Sequence, residues 1–383
     1  DSTAVLQLVW YVLREIPKEQ RCKEIHVVCN DTLVENPRIV QWIENNLYEI
    51  ERQATAEGLP FVVAKTQPEL EDSFWVNLIG RGYPAPTSSF RWCTERLKIN
   101  PTTKYIKEQV ATKGEVIILL GTREDESQSR KKSMQRFQVL DNRLRRHIDL
   151  NLAYVYSPIR HLTINELWQY LMQVPSPWNG SNRDLVTLYK NGSGGDCPLV
   201  IDTSTPSCGQ SRFGCWVCTV VKNDKSMEAL IENGEIHLEP LLDLRDWLVE
   251  NRNKDEYRQM RLRNGGEGKG PYNIETRSYI LRKLLEAQRF SGEKLITSQE
   301  LKAIQVIWQM DGFNHNVYEA YFDVYEDQKI DLAMTKKDKL KQMQQDELAE
   351  LCKQNGVKSD KMLNLLKNEK DTVVSGYKSK IVN

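Results

Sequence analysis

A chain of 383 residues with 40% hydrophobic and 28% charged residues can bury one large core or two domains and has the balance of a soluble protein. Lys+Arg and Asp+Glu both total 53, so no net charge announces a nucleic-acid partner and any basic surface must be local. No apolar run approaches the roughly 18 residues that span a bilayer, so no membrane is expected, and the grouping of the cysteines suggests a reducing cytoplasm.

Val5, Leu8, Val9, Val12, Leu13 and Ile16 fall at helical spacing before Pro17 and predict a first helix. Asp1-Ser2-Thr3 at its start either caps that helix or offers hydroxyls and free amides to an anion. Ile25–Cys29 reads as a strand running into Asn30-Asp31-Thr32, residues 35–57 as a helix, and Phe61–Ala64 as a second strand. A Gly/Pro/Ser-rich loop over 80–89 leads into Arg91–Lys98, and residues 102–112 are helical in pattern. Val116–Leu120 is a fully apolar strand ending in Gly121–Ser127, and Leu152–Tyr156 is the last strand. Apolar strands alternating with helices predict an α/β protein with a parallel sheet covered on both faces. Ligands sit beyond the carboxyl ends of such strands. Asp31-Thr32, Arg91–Lys98 and Gly121–Ser127 all fall there and are expected to share one pocket.

Thr163-Ile-Asn-Glu166 has capping-box form and opens a helix closed by Pro175. The stretch from Gly195 to Thr219 carries Cys197, Cys208, Cys215 and Cys218, half of the 8 cysteines. A Cys-x-x-Cys pair turns two thiolates toward one point, and four within so short a loop indicate a metal or iron–sulfur site, with zinc also able to take four cysteines. Cys22, Cys29 and Cys352 lie in periodic apolar contexts and read as core. Beyond the loop the chain is helical and charged, broken by a flexible Gly265–Pro271, and the tail from about Lys336 carries two short amphipathic helices. Between Arg130 and His147, 7 of 18 residues are Lys or Arg and one is acidic, which makes this the best local candidate for a phosphate backbone. Arg258, Arg261 and Arg263 are the second.

Asp1-Ser2-Thr3 resembles the end of the Ser-Gly-Gly-x-Asp-Ser pyrophosphate loop (PP-loop) of the ATP pyrophosphatase superfamily, whose glycines and strand would lie before residue 1. Asp31-Thr-Leu-Val-Glu-Asn36 resembles the Asp-Thr-Gly…Glu-Thr stretch of phosphoadenosine-phosphosulfate (PAPS) reductases. Trp92-Cys-Thr-Glu-Arg-Leu-Lys98 resembles their Cys-x-x-x-Arg segment, and Gly121-Thr-Arg-Glu-Asp-Glu-Ser-Gln-Ser-Arg130 their Gly-x-Arg-x-x-x-Ser-x-x-Arg segment. The reductases' Glu-Cys-Gly-x-His setting does not occur, since Cys352 stands in Glu-Leu-Cys-Lys-Gln. Over its whole length, including the cysteine loop and the Arg-rich segment after Asn251 (expected as helix), the sequence resembles the DndC family, ATP pyrophosphatases of bacterial DNA phosphorothioation systems.

The resemblance implies an adenine-nucleotide alpha-hydrolase-like (PP-loop) sheet with flanking helices over 1–175, an iron–sulfur cluster loop over 176–225, a helical region over 226–335 and an amphipathic tail over 336–383. It implies ATP with Mg²⁺ and a [4Fe–4S] cluster held by Cys197, Cys208, Cys215 and Cys218. Asp1 would face the metal ion, Ser2 and Thr3 would bind phosphate oxygens, and Asp31, Thr32, Gly121 and Arg130 would line the nucleotide site. Arg123 would hold phosphate, while Cys93 would carry a persulfide or merely pack beside Trp92. Arg91 and Arg96 would lower the Cys93 pKa if close. DNA, a cysteine desulfurase as sulfur donor, and sister subunits are the implied partners. The other readings are a sulfonucleotide reductase, a transfer RNA thiolase and a non-catalytic subunit that binds nucleotide and DNA.

Overall fold

A computed structural model describes residues 1–126, 128–135, 138–139, 143–147, 150–191 and 214–325. Cys197, Cys208, Cys352 and the expected amphipathic tail lie outside the described residues.

Helix α1 (Ser2–Glu15) precedes strand β1 (Ile25–Asn30), helix α2 (Pro37–Glu57) and strand β2 (Phe61–Thr66). β1 and β2 pair in parallel, Ile25 opposite Phe61, as the β-α-β order requires. Trp10 and Leu13 of α1 meet Ile50 and Ala54 of α2 over Phe61, with the Trp10 and Phe61 rings stacked at 4.7 Å. The next helix, α3, runs over residues 92–113, and Glu95–Ile99 within it form a π-helical turn. Strand β3 (Val116–Leu119) pairs in parallel with β6 (Ala153–Tyr156). Between them the chain forms α4 (Gln128–Gln135) and two short strands, β4 (Gln138–Val139) and β5 (Leu144–Arg146). These extend the sheet as β3-β6-β5-β4, with β5 antiparallel to both neighbours. The fold is thus α/β with parallel pairs, but the second sheet is mixed. The basic run 130–147 is divided between a helix and a β-ribbon rather than forming one face.

The expectation of a sheet buried on both sides is corrected at β1 to β3. Val28, Val62, Ile117 and Leu119 are exposed, Ile117 by 58%. Their β-branched and apolar character set the strand, not the burial of both faces.

After α5 (Ile164–Gln173) and α6 (Asn182–Asn191), the chain re-enters at Gly214 and forms α7 (Lys225–Glu232), α8 (Glu239–Asn251), α9 (Ile274–Ser291), α10 (Ser298–Met310) and α11 (Val317–Tyr325). This helical body does not pack on itself alone. Trp75 and a second π-helical segment, Val76–Gly80, insert into it, together with Trp92, Leu97 and Trp216. Three of the buried indoles find an acceptor: Trp75 donates to Leu295 O (2.8 Å), Trp92 to Pro84 O (3.0 Å) and Trp308 to Ile79 O (3.0 Å). Residues 258–272, expected as Arg-rich helix and flexible loop, form a β-hairpin instead, with Arg258 opposite Tyr272 and Arg261 opposite Glu267. Gly270 is required there, since a Cβ would stand 1.8 Å from Arg261 O.

Candidate functional site

The carboxyl end of β3 meets the start of α1. Asp1 is the N-cap position of α1, but its side chain does not cap the helix. Its carboxylate instead accepts from Arg123 Nε at 2.8 Å. Arg123 is buried and also lies near Asp125 Oδ2 and Leu162 O, both at 3.4 Å from Nη1. Its backbone N–H donates to Glu126 Oε1 (2.8 Å). Gly121 explains the closeness of the two segments. A Cβ there would lie 2.7 Å from both the Asp1 carbonyl carbon and the Ser2 nitrogen. Only glycine lets the loop after β3 ride against the first turn of α1, where the amides of Ser2 and Thr3 have no intrahelical partner. Thr122 is fixed from below by Ser157 (2.9 Å) and Glu124 by Arg160 (2.6 Å). Arg130 lies on α4, and its side chain is outside what is described.

The carboxyl end of β1 carries the second group. Leu33 has φ 64, left-handed backbone that favours glycine, at the place where the resembling motif has Gly. The Asp31 carboxylate braces it by accepting from Leu33 N–H (2.9 Å) and from Gln67 (2.9 Å). Thr32 is fully buried and donates to Glu35 Oε1 (3.0 Å), while its hydroxyl lies 3.4 Å from Cys215 Sγ. Glu35 forms an antiparallel bridge with Cys215, Trp216 N–H donates to Val34 O (3.0 Å), and the Cys215 thiol points to Glu35 Oε1 (3.6 Å). Thr32 therefore serves the cysteine loop, whereas Asp31 serves the turn.

Lys98, on the π-helical turn of α3, closes this group with Nζ 3.5 Å from Glu35 Oε1. A π turn widens the helix by one residue per turn and is often kept where a side chain must be re-aimed. Burial opposes it, yet Cys215, Glu35 and Cys93 together hold the Lys98 ammonium above its ordinary pKa. Cys93 is half-buried. Burial and the neighbouring Cys218 sulfur push its thiol pKa up, with Thr94 and Lys98 pulling the other way. The expected activation by Arg91 and Arg96 is not found. Arg96 is bound to Asp72 and lies over the Tyr83 ring, and the cation that acts on the thiol is Lys98.

Four soft thiolates suit an iron–sulfur cluster or zinc. Cys215 and Cys218 are the described half of the predicted set. Cys218 N–H donates to Cys215 O at 3.0 Å in a tight turn whose Trp216 and Val217 are anchored in the core. Burial and the Glu35 carboxylate push the Cys215 thiol up to about 12. A buried thiolate there requires a strong positive charge, which a bound metal supplies. The donor chemistry fits. Among the described residues no group of three or more His, Cys, Asp or Glu stands at metal-holding geometry.

The flank after Cys218 is clamped by α8 and its C-terminus. The fully buried Arg245 donates to Cys218 O (3.0 Å), Lys222 O (2.7 Å) and Val221 O, and pairs with Asp246. Arg252 donates to Thr219 O (2.5 Å) and Pro86 O (2.7 Å), which also accepts from the Thr219 hydroxyl (2.7 Å). Glu35, Lys98, Arg245 and Arg252 were not singled out by sequence. Arg245 carried a signal, because it falls on the Leu241, Leu244, Leu248 face of α8, where an arginine must have buried acceptors.

The profile of the phosphoadenosine phosphosulfate reductase domain matches residues 1–221, more than half of the chain and all of both groups except Arg245 and Arg252. The chain belongs to this family. Its members are enzymes of nucleotide-linked sulfur chemistry. The match ends just past Cys218, so the reductase-family domain includes the Cys-x-x-Cys turn. An uncharacterized protein of Methanocaldococcus jannaschii is 24% identical over 200 residues, 52% of this chain, and the match spans about a third (32%) of that relative's length. No solved structure matches. Among the described residues no helix is long and apolar enough to cross a membrane.

Proposed function

We propose that the chain is an ATP pyrophosphatase of the DndC type that activates a DNA backbone phosphate for replacement of one oxygen by sulfur. The observation that supports this reading most is the docking of the Cys215–Cys218 turn on Thr32 and Glu35. It brings three sulfurs, with Cys93, to the carboxyl end of a strand in a nucleotide-binding domain.

The chemistry addresses one barrier: oxide is a very poor leaving group. A non-bridging phosphate oxygen attacks the α-phosphorus of ATP, and the α–β bridging bond breaks with its electron pair leaving on pyrophosphate. The oxygen is now part of AMP, and the terminal sulfur of a persulfide attacks the backbone phosphorus and displaces AMP. A thiol reductant then attacks the protein-side sulfur, so that the S–S bond breaks with its electron pair leaving on the phosphorothioate and a disulfide forms. The free amides of the first turn of α1, with Ser2 and Thr3, receive the pyrophosphate oxygens. Asp1 would face Mg²⁺, which would share the pyrophosphate charge. Arg123 holds Asp1 in place and offers its planar fork to the α-phosphate. Thr32 and Asp31 shape the wall toward the cysteine turn. Cys93 would carry the incoming sulfur as a persulfide received from a cysteine desulfurase, and Cys197, Cys208, Cys215 and Cys218 would hold a [4Fe–4S] cluster.

AMP and pyrophosphate release by the anaerobically purified protein, together with mass spectrometry of DNA from cells expressing it with its sister subunits, tests the reading. Phosphorothioate-linked dinucleotides are expected and should vanish in Asp1→Ala. Sulfite formation from PAPS, with no sulfur in DNA, would replace it by sulfonucleotide reduction.

A further inference from the structure

The hairpin 258–272 is stitched to the loop that leads into Cys93. Tyr272 N–H donates to Gly82 O (2.7 Å), Ala85 N–H to the Tyr272 hydroxyl (3.3 Å), and Arg263 to Arg81 O. Arg258, one of the arginines expected to face a polyanion, is consumed in this scaffold. It is buried and donates to Gly270 O (2.6 Å), Arg252 O (2.8 Å) and Lys269 O (3.1 Å). Arg261 is not, and Arg263 spends one donor on Arg81 O. Arg261 is exposed at the end of the outgoing strand and Arg263 in the turn that follows, interleaved in sequence with exposed Met260 (55%) and Leu262 (41%). Neither arginine has a carboxylate within salt-bridge distance among the described residues.

The loop beneath completes the surface. Tyr83 is flanked by two guanidinium groups, Arg263 at 5.1 Å and Arg96 at 5.6 Å from its ring centre. Its ring meets Trp92 edge-on at 5.6 Å and Phe90 at 6.5 Å. Phe90 is 47% exposed, and the neighbouring Arg91 is exposed with no ion pair among the described residues. Trp92 is the residue before Cys93. The acids that face this patch are mostly spent or peripheral: Asp72 on Arg96, Glu71 at 3.8 Å from Arg81, and Glu267 across the hairpin from Arg261.

We propose that Arg91, Arg261 and Arg263, with Phe90, Met260 and Leu262, form the docking surface for the backbone of duplex DNA beside Cys93. Interleaved arginines and apolar or aromatic side chains suit a nucleic acid because guanidinium forks pair with phosphates while apolar side chains rest on sugars or wedge at a base step. A β-hairpin is narrow enough to enter a groove. An acidic protein surface would want the arginines without the protruding Met260 and Leu262. The inference rests on the reading that DNA is the substrate and assigns it a place other than the basic run 130–147.

Binding of a short labelled duplex to the intact protein, followed by fluorescence anisotropy from about 50 to 200 mM salt, tests it. Arg261→Ala with Arg263→Ala should weaken binding by roughly tenfold and flatten the log–log salt slope by about 2, one phosphate contact per arginine. Arg261→Ala alone, whose side chain has no hydrogen bond or ion pair among the described residues, should remove about one unit of slope with an unchanged melting temperature. That result cannot come from misfolding. An unchanged slope in both variants overturns the surface. If Lys131→Ala with Lys132→Ala then abolishes binding, DNA docks on the other run and the DNA reading stands. No binding of duplex DNA by the wild-type protein overturns the surface and the DNA reading together.

Discussion

The guanidinium of Arg245 donates to the carbonyl of Cys218 at 3.0 Å, and not one of its atoms is solvent-exposed. A charge buried this deeply is tolerated because its remaining donors meet Lys222 O, Val221 O and the Asp246 carboxylate. The contact makes α8 the rigid back of the Cys-x-x-Cys turn.

Arg245→Met therefore takes the buried donor from the carbonyls of Cys218, Val221 and Lys222 and should cost about 3 kcal/mol. Urea unfolding would show this as a lower midpoint with an unchanged m-value. Arg245→Lys should recover little, since an ammonium cannot reach acceptors on three separate residues from one plane. On the proposed reading of an iron–sulfur cluster in the cysteine loop, iron per chain should fall in both variants, because the turn loses its anchor while all four loop cysteines remain. Wild-type iron content in Arg245→Met would remove the link between the clamp and the metal site.

The sequence made the longer strands, the capping box at Thr163 and the cysteine turn legible, because each depends on local spacing. The capping box at Thr163 is present with both of its hydrogen bonds, and the structure adds one at Thr297 that the sequence reading passed over. Parallel pairing of β1 with β2 and of β3 with β6 followed from alternating strands and helices. The division of the second sheet did not, since β4 and β5 are only two and three residues long and sit in a run dominated by lysine and arginine. Local composition there reads as a solvated helix, and pairing with β6 decides otherwise. The hairpin at 258–272 was hidden for a related reason: its return strand, Glu-Gly-Lys-Gly-Pro-Tyr, is rich in glycine and proline, which carry no strand signal, and its register comes from Arg258 and Tyr272 packing into the fold. Contacts between distant segments, such as Thr32 with Cys215 or Asp1 with Arg123, had no signal beyond the motifs themselves.

Gly121→Ala probes the approach of the loop after β3 to α1. The added methyl would meet the backbone of Asp1 and Ser2 at 2.7 Å, and neither can move aside as a flexible side chain would. Displacement of the loop should cost about 1–3 kcal/mol in stability. Pyrophosphate release should fall by at least about tenfold, since a shift of about 1 Å in a positioning group is enough for such a loss. Stability lost with full turnover retained would separate this glycine from the nucleotide site.

Cys93 and Lys98 supply a test that needs no turnover. Burial and the Cys218 sulfur raise the Cys93 thiol while Lys98 opposes them. Lys98→Met should slow alkylation of Cys93 by iodoacetamide at pH 8 and move the pH profile of the reaction upward, and Lys98→Arg should restore much of it. Cys218→Ser should move the profile down, because the neighbouring sulfur is gone. Profiles that coincide with wild type in Lys98→Met would show that the ammonium does not act on this thiol.

The pair Arg14–Glu57 ties α1 to the end of α2 and sets an acid limit. Glu57 accepts from Arg14 Nε (2.7 Å) and Nη2 (2.6 Å), from Gln53 (2.9 Å) and from Trp10 (3.2 Å). The Arg14 hydrogen bonds, with those from Gln53 and Trp10 against the cost of burial, lower its carboxyl pKa from 4.5 to about 2. A depressed folded-state value stabilises the fold above the unfolded value and loses that stabilisation as pH falls through the folded one. The contribution should therefore be complete above about pH 5 and fade between about 4.5 and 2. Solvent around Arg14 screens the pair, so its worth is about 1 kcal/mol. Glu57→Gln should lower the melting temperature at pH 7 and approach wild type near pH 2, where the native carboxyl is itself half protonated. An equal deficit at both pH values would assign the effect to packing against Trp10 rather than to charge.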